Sequence, residues 1–126
     1  MNEEQLGLKL SPGQEWIYEY NMEKRSMTLN EQDSGRTVDM ELGKVVTVRL
    51  KENPTTGYRW TVETDSGLEQ IGDHFKEGGA IGAAGVRESQ FRPTKAGSYK
   101  LRMKNWREWE GEGSVIDRFN IQFTVK

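Results

Sequence analysis

The sequence predicts an all-β fold, an immunoglobulin-like antiparallel β-sandwich of about seven strands. Three observations support it. Apolar side chains recur at alternate positions in short runs, turn-forming residues separate the runs roughly every 8–12 positions, and no stretch carries the apolar stripe of an amphipathic helix. At 126 residues the chain has room for about one domain. A hydrophobic fraction of 33% predicts a modest core and long polar loops.

Residues 1–24 read as an extension. The first 35 residues hold seven acidic side chains against three basic ones, unlike the balanced remainder. Within them Trp16, Tyr18 and Tyr20 alternate with Ile17 and Glu19 after a Pro12-Gly13 turn. That pattern suits an added strand, and the polar surroundings suit a loosely held tail equally well. The domain proper spans 25–126. Met27 and Leu29 face Val38, Met40 and Leu42 across Asp33-Ser34-Gly35, which reads as two strands and a tight connection.

Further along, Val46, Val48 and Leu50 alternate with Thr47 and Arg49, and Tyr58, Trp60 and Val62 alternate with Arg59, Thr61 and Glu63. Both strands therefore have one dry and one wet face. Val86 and Phe91 mark a weaker strand, while Tyr99, Leu101 and Met103 alternate cleanly with Lys100, Arg102 and Lys104. The clearest strand is the last, with Phe119, Ile121, Phe123 and Val125 on one side. From Glu63 to Gly85 no strong strand signal appears, so a long loop is expected there.

Composition removes several function classes. Lys+Arg 18 against Asp+Glu 20 leaves a net charge of -2, which argues against a nucleic-acid partner. Without cysteine there is no thiol nucleophile and no Cys-ligated metal, and His74, the single histidine, excludes two-imidazole metal motifs. Neither a membrane-spanning run nor a secretory signal is visible. Glu108, Glu110 and Glu112 lack calcium-loop spacing, and His74 has no nucleophile to serve at any recognised spacing. The chain does not read as an enzyme, and no cofactor or metal is expected.

Three loops stand out instead. In Asn53-Pro54-Thr55-Thr56-Gly57-Tyr58, Pro fixes one dihedral and Gly permits a positive one, so the backbone sets the shape and two Thr hydroxyls sit at the tip. On these grounds it is either a well-specified turn or a binding loop. Gly78 to Gly85 lacks the Lys-Ser/Thr of a phosphate loop, and its sparse side chains suit either a floppy connection or backbone pairing with a partner. Trp106-Arg107-Glu108-Trp109 runs into the Gly-rich Glu110-Gly111-Glu112-Gly113. Trp and Arg are enriched among binding hot spots, and the expected compromise is one Trp packed down and the other exposed.

Together these loops resemble the chagasin family, immunoglobulin-like inhibitors of papain-type cysteine peptidases. Asn53-Pro54-Thr55-Thr56-Gly57-Tyr58 matches that family's first loop motif at every position. Gly82-Ala83-Ala84-Gly85 is similar to its Gly-x-Gly-Gly, with Ala84 in place of Gly. Arg107-Glu108-Trp109 is similar to its Arg-Pro-Trp/Phe, with Glu108 in place of Pro. The resemblance covers about Arg25 to Lys126 and gives the extension no role.

The resemblance implies a protein inhibitor that wedges three loops, 53–58, 82–85 and 107–109, into the cleft of a papain-family peptidase. Thr55 and Thr56 would lie against the catalytic residues, Gly82 to Gly85 along one wall, and Trp109 with Arg107 on an aromatic surface opposite. No cofactor is implied, and the inhibitor would act as a monomer. Members of the family often act outside the cytoplasm, so a secreted or periplasmic location is expected, with a signal already removed. Ala84 and Glu108 predict weaker or narrower inhibition than the full motif gives. The rival reading is a carbohydrate- or peptide-binding sandwich with Trp106, Trp109 and Tyr58 as a stacking platform. A purely structural or adhesive module ranks last, because it leaves the Thr-Thr loop without a purpose.

Overall fold

The structure, a computed structural model, describes residues 26–78 and 84–126. Their period-2 segments form eight strands: β1 (Ser26–Asn30), β2 (Thr37–Met40), β3 (Val45–Glu52), β4 (Arg59–Thr64), β5 (Leu68–Lys76), β6 (Gly85–Pro93), β7 (Gly97–Trp106) and β8 (Asp117–Val125). The strands make two four-stranded sheets, ordered β1-β3-β6-β5 and β2-β8-β7-β4. The dry faces of the two sheets meet. Val46, Val48, Leu50 and Phe91 from one pack with Leu101, Phe119, Ile121 and Phe123 from the other, all at most 2% exposed. The expected sandwich is therefore present, built as the alternating pattern requires.

Three details differ from the sequence reading. The segments flanking Asp33-Ser34-Gly35 do not pair with each other: β1 runs parallel to β3, and β2 runs parallel to β8 in the opposite sheet. The other four pairings are antiparallel, so both sheets are mixed. The turn is a crossing between sheets, fixed by a capping box in which Asn30 and Asp33 exchange side-chain and backbone hydrogen bonds. Leu42 lies beyond the end of β2 and is 52% exposed rather than in the core.

The second difference is β5, which occupies much of the stretch read as a loop. Among the described residues it is an edge strand paired only with β6, and most of its residues are exposed. An irregularity between Gln70 and Gly72 breaks its alternation. An edge strand with one neighbour and a bulge buries too little to write a pattern into the sequence. Third, Tyr58 precedes β4 instead of belonging to it. The segment 1–24, including Trp16 to Tyr20, lies outside the described residues.

Register brings the loops together. Glu52, the last residue of β3, is paired with Gly85, the first of β6, while Arg59 opens β4 opposite Trp106 at the end of β7. The segments after Glu52, before Gly85 and after Trp106 thus emerge at one end of the sandwich. Strand length and pairing alone place them side by side.

Candidate functional site

The first loop is a 3-10 turn, Pro54–Thr56, whose geometry follows from its sequence. Asn53 caps it: its side-chain oxygen accepts from the Thr55 N–H at 3.2 Å and from the Thr55 hydroxyl at 2.7 Å. The Thr56 hydroxyl donates to the Asn53 carbonyl at 2.8 Å. Pro at the first position sets the dihedral and gives up a donor the turn does not need. Gly57 closes the turn at φ 83, the left-handed region in which a side chain is strained. Thr55 and Thr56 stay exposed at the tip, with both hydroxyl hydrogens committed to Asn53.

The third loop folds onto the first. Arg107 donates to the Thr56 carbonyl through Nε at 3.1 Å and Nη2 at 2.9 Å, and its guanidinium lies 4.4 Å from the Tyr58 ring centroid. Its Nη1 pairs with Glu110 at 3.3 Å. A planar fork that also stacks suits this double role, which lysine could not fill. Beyond it, Glu108–Glu110 forms a second 3-10 turn, and the Ser114 hydroxyl accepts from the Arg107 N–H at 3.0 Å. Trp109 is 71% exposed, yet its ring edge touches the first loop: a Cβ on Gly57 would lie 2.9 Å from Trp109 Cη2.

Trp109 is the exposed tryptophan of the expected pair, but Trp106 does not pack down on the core. Trp106 is half-buried on the outer face of its sheet, where the Lys104 ammonium sits 3.7 Å from its ring centroid. Cations cover Tyr58 and Trp106, so the three rings do not offer the flat platform that a sugar-binding module needs. Two carboxylates of this loop, Glu110 and Glu112, are paired with cations as well. Hydrogen bonds from Lys104 and then Arg118 keep the Glu112 carboxyl below the ordinary range. Glu110 faces Arg107, and Glu108 is exposed. His74 lies elsewhere, on the outer face of its sheet, with Nε2 2.8 Å from Glu88.

At the second loop, Ala84 is exposed and Gly85 buried. Gly85 is needed because the neighbouring strand passes too close for a side chain: a Cβ there would lie 2.2 Å from the Lys76 carbonyl and 2.4 Å from Phe75. Gly82 and Ala83 lie outside the described residues. Two residues at the base of the loops escaped the sequence reading. Glu52 is 1% exposed and accepts from the Trp60 N–H at 2.8 Å and from Arg87 at 3.1 and 2.7 Å. Their signal was phase: Glu52 continues the dry series Val46, Val48, Leu50, and Arg87 continues Phe91, Ser89.

Residues 39–123 match the family model described as "Chagasin family peptidase inhibitor I42". This chain belongs to the chagasin family. Its family is thus one of inhibitors rather than enzymes. Amoebiasin-2 of Entamoeba histolytica is 29% identical over 87 residues, covering 65% of this chain and 71% of that protein. Chagasin of Trypanosoma cruzi is 25% identical over 96 residues, covering 70% and 87%. Among solved structures, the cysteine protease inhibitor EhICP2 from Entamoeba histolytica superposes with a TM-score of 0.75 at 23% identity, over 80% of this chain and 96% of that one. That likeness establishes the chagasin fold for the sandwich. Among the described residues no helix is long and apolar enough to cross a membrane.

Proposed function

We propose that this chain inhibits papain-type cysteine peptidases by lodging residues 53–58, 82–85 and 107–109 in the active-site cleft, one monomer to one enzyme. The observation that carries the reading is the intact Asn53 to Tyr58 loop, held rigid by its own hydrogen bonds and by Arg107, with Thr55, Thr56 and Trp109 exposed beside one another. Three such loops can supply an interface of about 1,600 Å², the usual size for an inhibitor complex. Because the first and third loops are held by internal hydrogen bonds, little of their conformational entropy is lost on binding.

The same geometry predicts resistance to cleavage. A substrate lies extended in a peptidase cleft, whereas here the backbone turns, with the Thr56 and Gly57 N–H groups donating to the Asn53 and Pro54 carbonyls at 3.2 and 3.1 Å. Straightening this segment to bring a peptide bond to the nucleophile would break both bonds and the Arg107 strut. Arg107 therefore acts from within, as the brace between two loops, and Trp109 is the residue that meets the enzyme. A direct test is protection: excess inhibitor should shield the papain catalytic cysteine from iodoacetamide while the inhibitor chain stays uncut. Alkylation at the unprotected rate would refute the reading.

A further inference from the structure

Below the loops the sandwich is closed by charge. Glu52 and Arg87 both sit at inward positions, and their side chains are 0% and 11% exposed. Trp60, whose N–H the Glu52 carboxylate accepts, belongs to the opposite sheet. One carboxylate thus ties together the strand entering the first loop, the strand leaving it, and the strand leaving the second loop. Arg87 extends the tie to the strand entering the second loop: its Nη1 is 3.5 Å from Asp73 and its guanidinium 5.5 Å from the Phe75 ring centroid.

Trp60 supplies the apolar packing at that level, and its indole N–H adds a second tie between β4 and β3, donating to the Lys51 carbonyl at 2.9 Å. A cavity of about 370 Å³ opens beside them, its walls including Gly57, Trp60, Asp73, Arg87, Trp106 and Trp109. A buried ion pair is a poor source of net stability, since desolvation roughly cancels attraction, and apolar side chains of similar volume often do as well. What the carboxylate–guanidinium fork supplies is fixed geometry.

We propose that Glu52 and Arg87 are positioning residues, a clamp that fixes the base of the first loop against the strand ends that flank the second. Neither side chain has a hydrogen bond to Thr55 or Thr56 at the first loop's tip, so both act through the backbone. The effect on inhibition rests on the function proposed above; the ordering of the loops does not. The test uses the full chain with Glu52→Gln and Arg87→Met, singly and combined. Gln keeps an acceptor for the Trp60 N–H, and Met keeps the stem of Arg87, so the double variant removes charge without leaving a lone buried ion.

Three readouts separate the alternatives: thermal midpoint, amide hydrogen exchange, and Ki against active-site-titrated papain. The combined variant should melt within a few degrees of wild type, exchange Thr55, Thr56 and Gly57 amides about tenfold faster, and inhibit about tenfold more weakly. Exchange across β7 and β8 should be unchanged. Wild-type exchange and Ki in the folded double variant would overturn the proposal. So would uniform acceleration that includes β7 and β8, since that is merely structural loss. If wild type fails to inhibit papain, the inhibition reading falls, and the exchange contrast still decides the clamp.

Discussion

Trp109 is large, exposed and braced only at its edge, which is how a binding residue differs from a core one. Trp109→Ala should therefore weaken inhibition by about 2 kcal/mol while leaving the melting temperature unchanged. Loss of fold in that variant would assign Trp109 to packing instead. Gly57 is the complementary case. Gly57→Ala places a side chain at φ 83 and drives it into Trp109, so it should cost about 1–2 kcal/mol of stability and weaken inhibition together. Calorimetry and Ki on the same preparation check both. Motif residues such as Thr55, Thr56 and Trp109 were legible because loop chemistry is local. Glu52 and Arg87 were less so, since each is visible only as a charge in a dry phase, and their meeting depends on β3 pairing with β6.

Among elements, the turn Glu108–Glu110 shows how a departure from the family motif can be repaired. Glu108 occupies its first position, Arg107 before it is extended at φ -98 and ψ 107, and Gly111 follows. Those are the conformations proline and its predecessor favour. Glu108→Pro should raise stability by about 0.4–1 kcal/mol through the unfolded chain, read by thermal melt, and should strengthen inhibition. A second element-scale feature is the outer face of the β1-β3-β6-β5 sheet, where Glu88 is nearly buried between Arg49 at 2.7 Å, His74 at 2.8 Å and Lys76 at 3.5 Å. Burial opposes its ionisation, but Lys76, the His74 hydrogen bond and Arg49 outweigh that and hold its carboxyl below the ordinary range.

A depressed carboxylate contributes stability that is fully present above the unfolded glutamate value of about 4.3 and is lost as pH falls through the lower folded value. Thermal midpoints should therefore drop on acidification below about pH 4.3, and Glu88→Gln should flatten that drop. Equal acid slopes in both proteins would remove Glu88 from the account. The strands themselves were read unevenly. β3, β7 and β8 are central, dry on one face, and plain in the sequence. β5 lies at an edge with a bulge and left no pattern, and the partners of β1 and β2 depend on sheet crossing that alternation does not encode.

For the molecule as a whole, two sheets bring the loop-bearing strand ends to one end, Arg107 joins the first loop to the third, and the Glu52–Arg87 pair ties the base of the first to β6. The fold class was legible because period-2 patterning extends over most of the chain; the mixed pairing of its outer strands was not. The central claim is that this end of the sandwich is an inhibitory wedge. The most direct measurement titrates papain and a cathepsin L-type peptidase with the wild-type chain and with a Thr55→Ala, Thr56→Ala, Trp109→Ala triple variant, following a fluorogenic substrate. Tight competitive inhibition by wild type, lost in a triple variant that melts normally, is the predicted result. No inhibition at micromolar protein, or equal inhibition by the triple variant, would contradict it.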